Sequence, residues 1–348
     1  NYHGQFGVQS VGDAMPLMNA RQYQIYNEEA GTNTRPSASD VTDPVGTNWL
    51  DEVFTTAPQQ SHSLTFSGGS ENSSFLVGGT YFSQEGIVGG DKARFDSITV
   101  RVNSDHQIKP WLKVGERLSY SNFKRNAISE NDEFGSLLSS ALSMDPLTPV
   151  VYTDPNNYPP HLQNAIAAGH PLRKDENGNY YGLSRYVLGE YYNPVSRLEL
   201  FKGGLTQNKI VGNVFADLTP IKGLTITSRF GIDAAFQREA YWTPTFWYNP
   251  DALNNESHGS IRHENWYNWQ WENFATYQNT IGDHDFSVLI GMSSLENRWD
   301  YAEGTYSGIM KEDDLFGHAD FTPDIQDKIG SNANKKTLLS YFGRVTYG

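Results

Sequence analysis

Two groups of aromatic side chains offer the clearest chemistry in this sequence. Trp242, Trp247 and Tyr248, together with Phe246, are interrupted by Pro244 and Pro250, and Tyr191 and Tyr192 stand just before Pro194. Rings of this kind with Asn, Asp and Arg nearby suit sugar rings or peptide side chains, giving apolar contact with a few orienting hydrogen bonds. The same rings would serve equally well to pack loops together or to meet another protein. Tyr191, Tyr192, Trp242, Trp247 and Tyr248 are therefore the candidate substrate-binding residues.

Other chemistry is weaker. Asp175-Glu176-Asn177-Gly178-Asn179 opens like a calcium loop, but the glycine required at its sixth position is Tyr180 and the acid required at its twelfth is Tyr186. A plain hairpin fits better. Glu130, Asp132 and Glu133, and Glu312, Asp313 and Asp314, are runs of carboxylates that read first as solvated charge. His263-Glu264 lacks the second histidine of a zinc helix, and Gly68-Gly69-Ser70-Glu71-Asn72 lacks the final glycine of a nucleophile elbow. No catalytic residue, metal site or cofactor is expected, and the chain reads as a non-enzyme. The formal charge of -14 argues against nucleic acid, whose binding surfaces carry basic patches. With no cysteine, there is no disulfide framework, thiol nucleophile or thiolate metal site.

The elements that would position these residues follow a rhythm. Leu64 and Phe66 alternate with Ser63, Thr65 and Ser67, and Phe75, Val77, Gly79 and Tyr81 answer them. Ile98, Val100 and Val102, then Leu112, Val114, Leu118 and Tyr120, continue the pattern, as do the runs Ile210 to Leu218, Leu224 to Ala234, Tyr267 to Tyr277, Phe286 to Met292 and Leu339 to Tyr347. Period two gives each strand one apolar and one polar face. Tight turns alternate with long excursions, which is the pattern of an outer-membrane barrel with short periplasmic turns and long extracellular loops. No run approaches the roughly 18 apolar residues of a spanning helix, and barrel strands escape that test because only every second residue is apolar. Aromatic residues toward the strand ends, Tyr81, Tyr120, Tyr267, Trp269, Trp271 and Tyr341, are expected at the membrane interface.

Three longer stretches carry a resemblance. Asn48-Trp49-Leu50-Asp51-Glu52-Val53-Phe54-Thr55-Thr56-Ala57-Pro58, Gln60 to Gly69 and Gly79-Thr80-Tyr81-Phe82-Ser83-Gln84-Glu85-Gly86-Ile87-Val88 are similar to the early barrel of SusC/RagA-type TonB-linked outer-membrane transporters. Leu17 to Tyr23 and the closing Leu339 to Val345 resemble the same family, in the same order. The resemblance implies an all-β fold: a transmembrane antiparallel β-barrel of 22 strands with a plug inside, of which this chain would be roughly the first ten strands. It also implies a SusD-like surface lipoprotein as lid, a TonB complex acting through an absent N-terminal region, and import of a glycan, oligosaccharide or peptide. The sequence departs from the family by omission, since no TonB box, plug or second half of the barrel is found.

The expected layout is one barrel domain. Residues 1-10 end a first strand, 11-60 form a first external loop and 61-122 hold strands with short turns. A long external loop at 123-207 precedes a hairpin at 208-236, a loop at 237-265, a hairpin at 266-298, a loop at 299-336 and a strand at 337-348. Short helices are expected near Met18 to Ala30, Asn48 to Phe54 and Leu137 to Leu142. The absence of a leader before Tyr2 and of a partner after Tyr347 suggests a piece of a longer polypeptide in a lipid bilayer. Two other readings stay open: a surface binding or scaffold barrel without transport, and a soluble sugar-binding sandwich.

Overall fold

A computed structural model describes residues 1–32, 34–126, 128, 136–200, 202–312 and 328–348. The chain begins with β1 (Tyr2–Gln9), α1 (Ala20–Ala30), α2 (Trp49–Val53), β2 (Ala57–Ser70), β3 (Ser73–Gly86), β4 (Gly90–Lys109) and β5 (Leu112–Arg125). A long connection then carries α3 (Leu137–Ser143), β6 (Val151–Tyr152), α4 (Pro160–Ala167), β7 (Tyr180–Tyr181) and α5 (Pro194–Leu198). β8 (Lys202–Ile221) and β9 (Leu224–Thr243) precede β10 (Phe246–Asn249) and β11 (Ala252–Asn254), and the chain continues through β12 (His258–Ile281), β13 (His284–Ser307) and β14 (Lys328–Tyr347).

Ten of these strands form one sheet in chain order, β1-β2-β3-β4-β5-β8-β9-β12-β13-β14, and every adjacent pair is antiparallel. The other strand pairings among the described residues are two small ribbons, β6 with β7 and β10 with β11. Among the described residues no second large sheet packs on this one, which sets the sandwich alternative aside. The hairpins β2–β3, β4–β5, β8–β9 and β12–β13 close through residues 71–72, 110–111, 222–223 and 282–283, all at one end of the sheet. Gly223 and Gly282 take positive φ there, of 84° and 63°, the left-handed region that glycine enters without steric cost. At the opposite end lie the connections 10–56, 126–201, 244–257 and 308–327, and one short exception at 87–89.

The strands run further than their alternation showed. The loops expected at 237-265 and 299-336 shrink, because β9 continues to Thr243, β12 starts at His258, β13 continues to Ser307 and β14 starts at Lys328. The 123-207 and 11-60 loops lose residues to β5, β8 and β2 in the same way. A tilted strand crosses a bilayer in about 9 to 11 residues, whereas β12 and β13 have 24 each. Their outer halves are polar on both faces, with Arg262, His263, Glu264 and Asn265 in succession in β12, so the alternation lapses there. For the same reason His263-Glu264, expected in a loop, lies inside β12.

Within the shared part of the sheet the alternation becomes two continuous surfaces. Cross-strand partners align Tyr120, Ile210, Ala234 and Tyr267 in one row, and Leu118, Gly212, Ile232 and Trp269 in the next. Tyr81, Trp271 and Tyr341 share this face. Its large apolar residues are exposed, including Phe66, Ile98, Phe230 and Ile290. An apolar surface of this extent needs an apolar partner phase. The reverse face holds Asp105 between Arg117 at 2.6 Å and Lys113 at 3.5 Å, Asp233 paired with Lys209 at 3.2 Å, and a polar hollow of about 280 Å³ bordered by Asn213, Arg229 and Glu272.

The connections have cores of their own. α1 begins at a capping box in which Asn19 accepts from the Gln22 amide at 2.8 Å, and ends at Gly31, whose φ is 66°. Trp49, Leu50 and Val53 of α2 pack on Leu137 and Ala141 of α3 and on Val88. A second cluster joins Leu162 and Ala165 of α4 to Leu183, Tyr192, Tyr248 and Ala252. Buried polar groups fix how these pieces meet. Asp145 accepts from the Leu147 and Thr148 amides at 3.0 and 2.9 Å, and from the hydroxyls of Thr148 and Ser184, while its own carbonyl accepts from Trp49 Nε1 at 2.8 Å. Asn193 caps α5 through the amides of Val195 and Ser196 and donates to the Val150 carbonyl at 2.8 Å. A methyl group on Gly182 would sit 1.9 Å from the Pro149 carbonyl, so glycine is required where β7 approaches β6. Asp145→Ala should orphan the donors to its carboxylate, the Leu147 and Thr148 amides and the Thr148 and Ser184 hydroxyls, at about 1 to 3 kcal/mol each, and leave the Trp49 bond to the carbonyl in place. Amide exchange should then accelerate across residues 137–200 and stay unchanged in β12 and β13; equal protection in the variant would refute the anchoring role.

Candidate binding cleft

A cleft of about 590 Å³ opens between the 40–47 stretch of the first connection and the 146–161 and 183–186 stretches of the long one. Its size falls within the roughly 300 to 1,000 Å³ of small-molecule sites. Pro146, Pro149, Pro159 and Pro160 stiffen its walls, and Tyr152, Tyr158 and Tyr186 supply rings. Tyr158 meets Tyr152 and Tyr180 edge-on, with centroids 6.3 and 5.8 Å apart. Asp40 and Arg185 face one another at 3.6 Å across the opening, and the Arg185 guanidinium lies over the Tyr186 ring at 5.5 Å.

Charge in the cleft is set by its surroundings. Asp40 accepts from the hydroxyl and the amide of Ser37, each at 2.7 Å, and these bonds, with a smaller contribution from Arg185, hold its carboxyl below the usual range. Burial pushes Tyr152 and Tyr186 up to about 12, so both remain hydroxyl donors. Loss of hydration lowers His161, which keeps a neutral imidazole with Nε2 3.0 Å from the Leu183 carbonyl. The cleft thus presents two carboxylates, Asp40 and Asp43, one guanidinium and neutral donors among flat rings. That arrangement orients a polar ligand and carries no nucleophile–base pair.

The rings singled out in the sequence take a different place. Tyr192 and Tyr248 are buried and stacked 4.3 Å apart, Tyr248 bonds the Ser196 hydroxyl, and both belong to the second loop core. Trp242 lies in β9, not in a loop, and is buried with Tyr306 and Ile309. Trp247 stacks on His170 at 4.2 Å and is half-buried, as is Tyr191. Tyr192, Tyr248 and Trp247 therefore pack the connections together, Trp242 packs at the end of the sheet, and none of the five lines the cleft. Tyr158 and Tyr186 were missed, although Tyr158 before Pro159-Pro160 carries the same aromatic-beside-proline signal as Tyr191 and Tyr192.

Among the carboxylate runs, Glu130, Asp132, Glu133, Asp313 and Asp314 lie outside the described residues. Glu312 pairs with Arg173 at 3.5 Å and accepts from the Thr245 amide, joining three connections. Asp175 closes a turn through the amides of Asn177 and Asn179, with Gly178 at φ 83°. No cluster of three or more metal-ligating side chains occurs among the described residues.

Comparison with known proteins adds sequence and fold relatives, although no family model matches. TonB-dependent receptor P3 of Formosa agariphila is 25% identical over 352 residues, covering 98% of this chain and 31% of the receptor. TonB-dependent receptor SusC of Bacteroides thetaiotaomicron is 23% identical over 374 residues, covering the whole chain and 33% of the receptor. The chain thus spans about a third of the length of these relatives. In fold it matches the RagAB peptide importer in its open-open state with a TM-score of 0.76 at 21% identity, over all of this chain and 39% of that one. A similar match to the RagAB peptide transporter has a TM-score of 0.74. The chain is thus SusC/RagA-like: it is similar along its whole length to TonB-dependent receptors in sequence and to RagAB in fold, and its large antiparallel sheet is that of an outer-membrane barrel.

Proposed function

We propose that the chain forms part of an importer that carries a large nutrient, a glycan, oligosaccharide or peptide, across the outer membrane. The observation that carries this reading is the match to TonB-dependent receptors over nearly every residue. In the proposed mechanism, the external connections and a SusD-like lipoprotein capture the substrate, and force from a TonB complex admits it through a gate outside this chain. The cleft beside Asp40 and Arg185 is the proposed first contact, with the half-buried Trp247 and Tyr191 as secondary contacts. The apolar face supports a bilayer-spanning role, with Tyr81, Tyr120, Tyr267, Trp269, Trp271 and Tyr341 as proposed interface anchors. A scaffold barrel that binds without transporting is the second reading, favoured only by how completely the loop aromatics are used in packing.

Uptake and binding by the full-length receptor with its lid protein test the proposal. Removing the Arg185 and Tyr186 side chains together should weaken substrate binding about tenfold or more, the loss typical of an aromatic-arginine hot spot. Unchanged binding with intact uptake would remove the cleft from the pathway, and binding without any uptake would favour the scaffold. Acid should loosen the cleft through His161. Its folded pKa lies below the ordinary 6.5, so its stabilising contribution is complete above that value and is lost as pH falls through the lowered one. Protease nicking within residues 152–186 should rise from about pH 7.5 to about pH 5, and His161→Asn should flatten that rise.

A further inference from the structure

The apolar face of the sheet changes character in ordered steps toward the long connections. Tyr120, Ile210, Ala234 and Tyr267 form an aromatic and aliphatic row. The next row on the same face is amide-rich, Asn122, Asn208, Phe236 and Asn265, with Asn122 and Tyr120 both donating to Asn208 Oδ1 at 2.9 and 2.7 Å. The row after that is Lys124, Thr206, Arg238 and His263. Lys124, Arg238 and His263 are exposed, and neither Lys124 nor Arg238 has an ion-pair partner among the described residues. Asp96, which continues the row across β4, is already engaged by Arg94 at 2.8 Å. Other cations on this face are matched, Lys335 by Glu296 at 2.9 Å and Arg298 by Asp300 at 3.7 Å.

We propose that Lys124, Arg238 and His263 bind the phosphate groups of an anionic glycolipid in the outer leaflet. Lys124 and Arg238 sit two strand spacings apart, about 10 Å between Cα atoms, so their long side chains can converge on one phosphate or hold two on the same head group. The row stands four residues above the aromatic one, which for a strand tilted near 40° is about 10 Å of height. The polar zone of a leaflet is roughly 5 to 8 Å deep, and flexible Lys and Arg stems reach back into it. In a chain of net charge -14, an unmatched cationic row facing the lipid side runs against the general repulsion of anions. The surface commits to a lipid because the apolar, aromatic and amide rows directly beneath it continue into the region where acyl chains would lie.

The proposal rests on the outer-membrane placement and is independent of what is imported. Its test uses the full-length receptor in nanodiscs, with a bis-phosphorylated outer-membrane glycolipid and the same lipid after phosphatase treatment. The wild type should prefer the phosphorylated lipid, and Lys124→Gln and Arg238→Gln should each weaken its binding about fivefold, the weight of one basic residue at an anionic surface. Lys124→Arg should retain binding, and so should Arg229→Gln on the opposite face. Equal affinity for the dephosphorylated lipid, an unaffected double variant, or displacement by millimolar inorganic phosphate alone would overturn the proposal. The wild-type comparison decides even where a variant fails to fold. Nutrient binding in the same samples separates failure of this idea from failure of the importer reading.

Discussion

In hydrocarbon, a peptide N–H or C=O without a partner costs several kcal/mol, and the ten-stranded sheet is arranged around that constraint. A meander in chain order is the simplest answer, because each new strand pairs with the one just finished. The register is uninterrupted over 24 partners between β12 and β13 and 20 between β9 and β12. Irregularities in the sheet fall close to strand ends, at Glu85/Gly86, Gln107/Lys109 and Leu218/Ile221. Side chains follow the pleat, so pairing alone produces an apolar surface on one side and paired charges on the other.

The connections obey the opposite rule. They lie beyond the long ladders and hold together through small cores with buried polar joints such as Asp145 and Asn193. Buried polar groups of this kind specify geometry because each of their bonds has one direction. Tyr192 and Tyr248 belong to that scheme, and the open cleft arises where rigid, proline-lined edges do not quite meet.

Much of the sheet was legible because period-two alternation is enforced wherever lipid lies on one side. Leu64 to Phe66, Ile210 to Leu218 and Tyr267 to Tyr277 all appear as strands. Gly31 and Asn19 likewise signalled where α1 ends and begins. Strand length was not legible above the membrane, where Arg262-His263-Glu264-Asn265 reads as loop although it is paired on both sides. The cleft was hidden for a different reason. Asp40 and Arg185 are 145 positions apart in sequence and meet only because the 10–56 and 126–201 connections pack against each other. A ring such as Tyr248 also looks the same in sequence whether it faces a ligand or a neighbouring loop.

The 126–201 connection departs from β5 and returns on β8, which are hydrogen-bonded neighbours, with Arg125 opposite Leu205. Arg125 and Leu205 are therefore held one strand spacing apart whatever lies between them. Closing a longer loop costs only about 0.6 kcal/mol for each doubling of its length, a small amount beside the long ladders on either side. The β5–β8 register therefore does not depend on the length of the segment, whose own shape is fixed instead by the cores it shares with α2 and with the 244–257 connection. Divergence in recognition can then proceed without renegotiating the membrane-embedded part, which fits identities of only 23 to 25% spread along a common frame.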